Sequence, residues 1–313
     1  MSVAMENAAL TRQRSARRRQ IIAAVEPWLY ASPSIVLIAA ILLVPLTIGI
    51  SYAFRDIQLL DPMSGGYVGL AHFRDIWADA NFWNALRNTI EWTVVSVLLQ
   101  FIFGMILALM LNRPFPGRGI VQALVFLPWA VPTFLSGLAW AWLFNPVIGP
   151  LPHWMVALGI MTTANSPLAD PATALWGPVI ANIWYGVPFF AITLLAALKS
   201  IPIEFYEAAA VDGATAWQRF TLVTVPFLAP TIAVTVMLRT IWISTFADLI
   251  FVMTEGGPAG STETLATYIY ISAFKTLDKG YASAIAVLLL ALLLAYALIV
   301  LRLRRRFVHE AAR

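Results

Sequence analysis

The sequence predicts an all-α polytopic membrane protein with six transmembrane helices. Of its 313 residues, 60% are hydrophobic and only 12% are charged, and the mean hydropathy is +0.80, far from the balance of a water-soluble domain. Six apolar runs are each long enough to cross a bilayer core of about 30 Å, which takes about 20 helical residues. None shows the alternation of a membrane-barrel strand, so helices are predicted.

The six runs cover residues 34–52, 89–111, 120–144, 174–198, 227–252 and 282–301. The first follows a basic stretch but is too long for a signal peptide, and no small-residue cleavage site follows it, so a retained helix is expected. Prolines interrupt several runs, where they mark either ordinary kinks or hinges. The expected organisation is one transmembrane domain, 28–302, between a basic tail, 1–27, and a second tail, 303–313.

Lysine and arginine residues concentrate in the two tails and in the loops around 112–119 and 199–226. Together with Arg302, which adjoins the second tail, these tails and loops hold 14 of the 20 basic residues, the other three loops hold five, and Arg239 lies inside a helix. The positive-inside rule therefore predicts that both chain ends and the 199–226 loop face the cytoplasm. The basic residues flank apolar segments, and no basic stripe with interleaved aromatic residues is present. Membrane lipid is thus an expected partner, and nucleic acid is not.

Catalysis and metal binding have little support in the composition. Cysteine is absent, which excludes thiol nucleophiles and thiolate metal sites, and the three histidines are scattered. A membrane-embedded enzyme acting on lipid-linked sugar would need clustered carboxylates, and Asp75 and Asp79 are better explained as one solvated helical face. An ion-coupled secondary carrier would need buried carboxylates in several helices, where only Asp248 and Glu91 qualify. Both remain alternatives at this point.

The most informative segment is the loop 199–226, which is patterned as a helix, a turn and a second helix. Helix formers fill its first half, and Gly213 favours a left-handed helix end. Thr215 and Gln218 have the spacing of a capping box, which predicts a second short helix that ends before Pro226. On this pattern alone, an ordinary pair of interfacial helices is the alternative.

The residues of this loop resemble the EAA loop that characterises the membrane subunits of ABC importers. In that loop, Glu-Ala-Ala is followed after three residues by Gly and later by an aliphatic-x-aliphatic-Pro ending. A second stretch, FADLIFVMTEGGPAGSTETLATYIYISAF followed by GYASAIAVLLL, resembles the carbohydrate-uptake branch with its maltose- and glycerol-phosphate-type permeases. The matching EAA positions are Glu207, Ala208, Ala209, Asp212, Gly213, Ala214, Val223, Val225 and Pro226.

The resemblance implies the type I ABC importer permease fold and ATP-driven uptake of a sugar or sugar-like solute, such as an oligosaccharide, polyol, glycerol phosphate or sulfonated sugar. It implies three kinds of partner in a bacterial inner membrane: a second permease subunit, two copies of a cytoplasmic ATPase and an extracytoplasmic solute-binding protein. The EAA loop would couple to the ATPase. No cofactor is expected on this chain, which lacks a Gly-Lys dipeptide and hence a P-loop, so ATP and Mg belong to the ATPase.

Polar and aromatic residues at membrane depth are the candidates for the solute path, because burying a polar group in lipid is costly unless it lines a cavity or pairs. Arg239 and Asp248 are both expected on the fifth helix, too far apart along it for direct pairing. Arg239 has pairing with another helix or subunit as its alternative role, and the aromatic candidates have packing. The candidate set is Asn182, Trp184, Tyr185, Arg239, Trp242, Ser244, Thr245 and Asp248.

Overall fold

The structure of the protein, a computed structural model, describes residues 25–61, 63–163 and 165–310. The predicted basic tail 1–27 lies outside the described residues except for 25–27, and so do residues 311–313 of the second tail. Helices dominate the described residues, whose only strand-like pairings are two isolated bridges. The predicted all-α class is confirmed.

The chain divides into two structural units between Tyr52 and Ala53. The first unit consists, in its described part, of helix α1, Val25–Tyr52, which includes a π-helical stretch at Ala39–Leu43. With 28 residues, α1 is long enough to cross a bilayer.

The second unit holds the other α-helices. They are α2, Ala71–Ala78; α3, Ala80–Asn112; α4, Arg118–Ala130; α5, Thr133–Leu143; α6, Pro150–Ala157; α7, Trp176–Lys199; and α8, Ile203–Val211. Next comes α9, Ala216–Ser244, which includes a π-helical stretch at Phe220–Thr224. The last three are α10, Asp248–Thr254; α11, Leu265–Phe274; and α12, Lys279–Glu310.

Within the described residues, α1, α3, α7, α9 and α12 are long and apolar enough to span a membrane, and the pair α4 and α5 brings the number to six if it counts as one span. The expectation of one continuous helix over 120–144 is wrong, because α4 and α5 meet at 94°. Val131 is extended, as residues before a proline usually are, and Pro132 has no N–H to continue the helix.

The predicted helix over 227–252 has a different start and a different end in the structure. α9 starts at Ala216 and passes Pro226 without a break, so no short helix ends before this proline. Pro226 is the second residue after the π-helical stretch, where its missing N–H interrupts no regular helix interior. At its other end α9 stops at Ser244. Thr245 leaves the helical conformation with φ −99° and ψ 2°, while its hydroxyl donates to the carbonyl of Ile241 at 3.1 Å.

The packing centre of the second unit is the long contact between α3 and α7, which α9 and α10 extend. Trp92, Phe190 and Leu228 are among the fully buried side chains of this core. A smaller core joins α2, the beginning of α3, α11 and α12, and it contains Ile76 and Leu265. The two cores hold the helices that position the sites described next.

Candidate functional site

The segment predicted to form a helix, a turn and a second helix has this geometry. α8 ends at Val211 and is capped by Asp212. Gly213 follows with a φ of +77°, a left-handed conformation that side chains disfavour. The N–H of Ala214 donates to the carbonyl of Ala209 at 2.9 Å, and that of Gly213 donates to the carbonyl of Ala210 at 3.1 Å. These two bonds satisfy the carbonyls at the end of α8.

The predicted capping box begins the second helix. The N–H of Thr215 donates to Oε1 of Gln218 at 2.8 Å, and the N–H of Gln218 donates to Oγ1 of Thr215 at 3.3 Å. α9 therefore starts directly after the glycine turn. The prediction is confirmed here, except that α9 continues far beyond Pro226.

One face of α8 is fixed to α9, and the other is exposed. The hydroxyl of Tyr206 lies 2.9 Å from Oγ1 of Thr224 on α9, and Ala209 packs against the main core. Glu207 and Ala208 lie on the opposite face and are exposed. The segment thus presents a rigid outer surface with a fixed negative charge. Among the remaining EAA positions, Ala214 is half-buried, whereas Asp212, Gly213 and Pro226 are exposed.

A cavity of about 320 Å³ lies among α4, α7, α9 and the residues that follow α9. Five of the residues predicted for the solute path line it together: Asn182, Tyr185, Arg239, Trp242 and Thr245. The other lining residues are Trp129, Ile243 and Phe246. The helices therefore bring most of the predicted polar and aromatic residues to one place.

Arg239 is only 5% exposed at this cavity. Its Nε donates to Oε1 of Gln100 on α3 at 2.8 Å, and Nε2 of Gln100 donates in turn to the backbone carbonyl of Asn182 at 2.8 Å. The guanidinium carbon also lies 5.7 Å from the centre of the Phe189 ring. Arg239 thus pairs with another helix through a neutral amide, and no carboxylate in the described part of the chain forms an ion pair with it.

Polar atoms at the cavity are left without hydrogen-bond partners among the described residues. Nη2 of Arg239 has none, and neither does the amide nitrogen or the amide oxygen of Asn182, although Asn182 is only 1% exposed. A buried polar group without a partner costs about 1–3 kcal/mol. Residues that line the cavity therefore carry unpaired donors and an unpaired acceptor, and these atoms have almost no exposed surface.

Gly186 makes room for this polar cluster. A Cβ at this position would overlap the side-chain amide of Gln100 and Nη2 of Arg239. Both groups can keep their positions only if residue 186 has no side chain.

Two predicted solute-path residues on α7 and α9 lie outside the cavity. The ring of Trp184 packs against that of Trp140 on α5, with 5.9 Å between ring centres. Ser244 is buried, and its Oγ lies 3.2 Å from Oγ1 of Thr93 on α3. Both side chains contribute to helix packing.

Asp248 also lies outside the cavity, at the start of α10. Its Oδ2 accepts a hydrogen bond from Oγ1 of Thr133 at 3.3 Å, which joins α10 to the start of α5. The expectation that Asp248 shares a helix with Arg239 is wrong, because the chain leaves the helical conformation at Thr245.

Four residues of the site were not predicted from the sequence: Gln100, Trp129, Ile243 and Phe246. Gln100 lies in a long apolar run, and the criterion applied to Arg239, a polar group at membrane depth, would have found it. Trp129 and Phe246 carry no such signal, because aromatic residues are common in membrane-helix packing. The Phe246 ring stacks on that of Tyr185, with 6.4 Å between ring centres and 15° between planes.

A second polar cluster lies where α2 ends and α3 begins. Asp79 accepts from the N–H of Asn81 at 2.9 Å and, through Oδ2, from the hydroxyls of Tyr268 and Tyr281 at 2.5 and 2.6 Å. Burial acts to raise the pKa of Asp79, but these hydrogen bonds outweigh it and lower the pKa below its ordinary value. The sequence suggested that Asp79 is a solvated surface charge. The structure corrects this, because the Asp79 carboxylate is bonded to two tyrosine hydroxyls. No group of three His, Asp or Glu side chains suited to a metal lies in the described ranges.

Comparison with known proteins assigns this architecture to a family. Residues 100–309 match the family described as binding-protein-dependent transport system inner membrane component. The chain is 34% identical over 280 residues to a probable ABC transporter permease protein of Brucella suis, with 90% of this chain and 96% of that protein covered. It is 35% identical over 272 residues to the trehalose/maltose transport system permease protein of Thermococcus litoralis, covering 87% and 90% of the two chains.

The fold is also present in a solved structure. The crystal structure of a bacterial alginate ABC transporter in complex with an alginate pentasaccharide-bound periplasmic protein contains a chain that matches with a TM-score of 0.77 and 28% identity. The match covers 92% of this chain and 96% of that one. The protein is therefore a membrane-spanning permease subunit, not an enzyme, and belongs to the binding-protein-dependent transport system inner membrane component family.

Proposed function

We propose that this permease and a second permease subunit form the path by which a sugar or sugar-like solute crosses a bacterial inner membrane. The Thermococcus relative is named for trehalose and maltose, and the alginate transporter structure holds a pentasaccharide on its periplasmic protein. For this chain, the observation that carries the proposal is the cavity among α4, α7 and α9. The solute classes in question are an oligosaccharide, a polyol, a glycerol phosphate or a sulfonated sugar.

The cavity combines the two kinds of group that suit a sugar. Tyr185 and Trp242 supply flat apolar surfaces for the faces of a sugar ring, while Arg239 and Asn182 supply free donors and an acceptor. A sugar hydroxyl can accept from the guanidinium and donate to the amide oxygen. Such bonds offset the cost of burying these groups. The guanidinium and the amide gain partners from the solute, and the sugar hydroxyls gain partners from the cavity.

We infer that the exposed face of α8, with Glu207 and Ala208, contacts an ATPase and transmits its movement. α8 is joined to α9 by the contact between Tyr206 and Thr224 and by the tight glycine turn. α9 is a single helical segment of 29 residues that carries Arg239 near its far end. A displacement of α8 therefore reaches the cavity through one continuous element.

The remaining partners follow from the same proposal. Two copies of a cytoplasmic ATPase bind ATP and Mg, and an extracytoplasmic binding protein delivers the solute. This chain supplies no P-loop, since it lacks a Gly-Lys dipeptide. α8 and the turn that leads into α9, residues 203–215, form the coupling segment, which then faces the cytoplasm. The distribution of basic residues favours the same side for both chain ends.

The cavity is tested by ATP-dependent uptake into vesicles that contain the complete transporter, purified with its partners from native membranes. Trehalose, maltose, a polyol, glycerol 3-phosphate and an alginate oligosaccharide form the first panel. Trp242→Ala should lower uptake at limiting solute by about tenfold or more, because it removes an aromatic wall. The matched control is Trp184→Ala, which lies outside the cavity and should stay within about twofold. Equal losses in both variants would contradict the assignment of the cavity.

The coupling segment is tested by Glu207→Lys, which reverses the fixed charge on the exposed face of α8. Uptake should be abolished while the amount of protein in the membrane stays normal, and ATP hydrolysis should no longer respond to the loaded binding protein. Asp170→Lys reverses an exposed carboxylate in the stretch before α7 and should change neither quantity. Normal uptake by Glu207→Lys would remove the coupling role from this face.

A further inference from the structure

A groove of about 860 Å³ lies between the last part of α3 and the start of α9. It shares no lining residue with the solute cavity. Its walls are largely apolar, and the main contributors are Phe101, Met105, Ile106, Leu109, Trp217 and Phe220. α3 and α9 both qualify as membrane spans, so the groove lies beside segments that are long and apolar enough for a bilayer.

Two arginines line this groove. Arg113 is the residue at which α3 ends, and Arg219 lies in the first turn of α9. Nε of Arg219 is buried and has no hydrogen-bond partner among the described residues, and neither arginine forms an ion pair there. Arg113 is exposed, whereas Arg219 is half-buried beside apolar walls, where an anionic acceptor would offset the cost of its unpaired Nε–H. The groove is therefore complementary to a molecule that has both an apolar part and a negative charge.

We propose that this groove binds an anionic phospholipid, with an acyl chain along α3 and the phosphate on Arg113 and Arg219. Guanidinium groups match the geometry of phosphate oxygens, and basic pockets at the ends of membrane helices bind anionic headgroups. Trp217, 70% exposed at the same groove, is of the residue type that concentrates at the membrane–water interface. A phospholipid joins the long apolar part and the single anionic group that the groove requires.

The bound lipid lies against the contact that connects α8 to α9. Tyr206 and Thr224, whose hydroxyls connect α8 to α9, both line the groove. An occupant therefore supports the contact through which, on the proposed function, the ATPase moves α9. This consequence rests on the proposed function, whereas the binding site itself does not.

The test uses the complete transporter in phosphatidylcholine nanodiscs that contain a small fraction of phosphatidylglycerol with a photoactivatable diazirine on its acyl chain. This probe should label peptides from 100–112 and 216–224 more strongly than the corresponding phosphatidylcholine probe. Arg113→Gln with Arg219→Gln should reduce phosphatidylglycerol labelling by at least about fivefold, the effect expected for one headgroup contact. The matched control is Arg74→Gln with Arg302→Gln, which removes two exposed arginines outside the groove and should leave labelling unchanged.

A second variant tests the apolar wall separately. Ile106 is 47% exposed, so Ile106→Trp can fill the groove without entering the core, and it should block labelling although both arginines remain. Unchanged labelling in the double arginine variant overturns the proposal, and so does labelling of the partner permease or the ATPase in place of these two peptides. Loss of uptake with labelling intact counts against the proposed function and leaves the lipid site standing.

Discussion

Two polar clusters of the second unit differ in how completely their groups are paired. At the junction of α2 and α3, the Asp79 carboxylate accepts hydrogen bonds from a backbone N–H and from the hydroxyls of Tyr268 and Tyr281. At the cavity, Arg239 donates to Gln100 through Nε, while its Nη2 and the amide of Asn182 have no partner among the described residues.

We interpret this difference as one between a cluster that stabilises the fold and a cluster that, on the proposed function, is kept for the solute. A paired, half-buried network fixes the helices that contribute to it, here α3, α11 and α12. Unpaired buried groups lower stability, and they are retained where function uses them. Removing a polar group from the Asp79 cluster should therefore lower stability and leave transport unchanged. Removing one from the cavity cluster should lower transport without lowering stability.

The largest effect is expected from Gly186→Ala, because the added methyl group overlaps Gln100 and Arg239. Overpacking of this kind costs about 1–3 kcal/mol, and displacement of the guanidinium should reduce uptake by about a hundredfold. Uptake and the melting temperature in detergent are the measurements. Gly119→Ala is the control, since a Cβ there meets nothing within 4 Å. Wild-type uptake by Gly186→Ala would mean that the polar cluster is not needed in its present geometry.

The paired cluster should respond to Asp79→Asn mainly through stability. Asparagine still caps α3, but the hydrogen bonds from Tyr268 and Tyr281 lose their charged acceptor, which should cost about 1–2 kcal/mol. Uptake per folded molecule should stay near that of the wild type. Thermal unfolding in detergent measures the loss, and Asp75→Asn, at an exposed carboxylate of α2, should change it by less than about 0.5 kcal/mol.

The stability difference between wild type and Asp79→Asn should depend on pH. The folded-state pKa of Asp79 lies below its ordinary value, so its contribution is fully present above the unfolded-state pKa and is lost as the pH falls through the folded-state pKa. The difference should therefore be constant near neutrality and shrink in acid, below the ordinary value of 3.8. Melting curves of both proteins across this range test the sign. A difference that grows in acid would contradict it.

The smallest effect on stability should come from Asn182→Leu, and with the opposite sign. Leucine has a similar volume and removes two unpaired polar atoms, so the protein should gain up to about 1 kcal/mol while uptake falls. Asn88→Leu provides the matched comparison, because the Asn88 amide donates to the carbonyls of Gly260 and Glu263 and its loss should destabilise the protein. If both variants lose stability equally, the contrast between paired and unpaired clusters fails.

The end of α8, the glycine turn and the start of α9 could be predicted from the sequence because their determinants are local. Gly213 ends one helix by its own backbone conformation, and Thr215 and Gln218 begin the next by bonding to each other. The polar contacts of the cavity depend on tertiary structure instead. Gln100 and Arg239 are far apart in the chain, and their pairing exists only because α3, α7 and α9 pack together.

The breaks inside apolar runs were missed for another reason. Hydropathy reports whether a stretch can lie in lipid, and it is insensitive to backbone conformation. Pro132 was visible as a possible kink, but the size of the bend depends on Val131 being extended before it. The end of α9 at Thr245 leaves no mark in composition at all, so Asp248 was assigned to the wrong helix.

The corner between α4 and α5 has a mechanical consequence. Trp129 lies beside the corner and lines the cavity, whereas α5 extends away from it for 11 residues, or about 16 Å. A rotation of about 10° at the corner moves the far end of α5 by about 3 Å and Trp129 by much less. We infer that the bent pair can act as a lever with its short arm at the cavity. On the proposed function, a slight turn of Trp129 against the solute would shift the end of the long arm by about one water diameter.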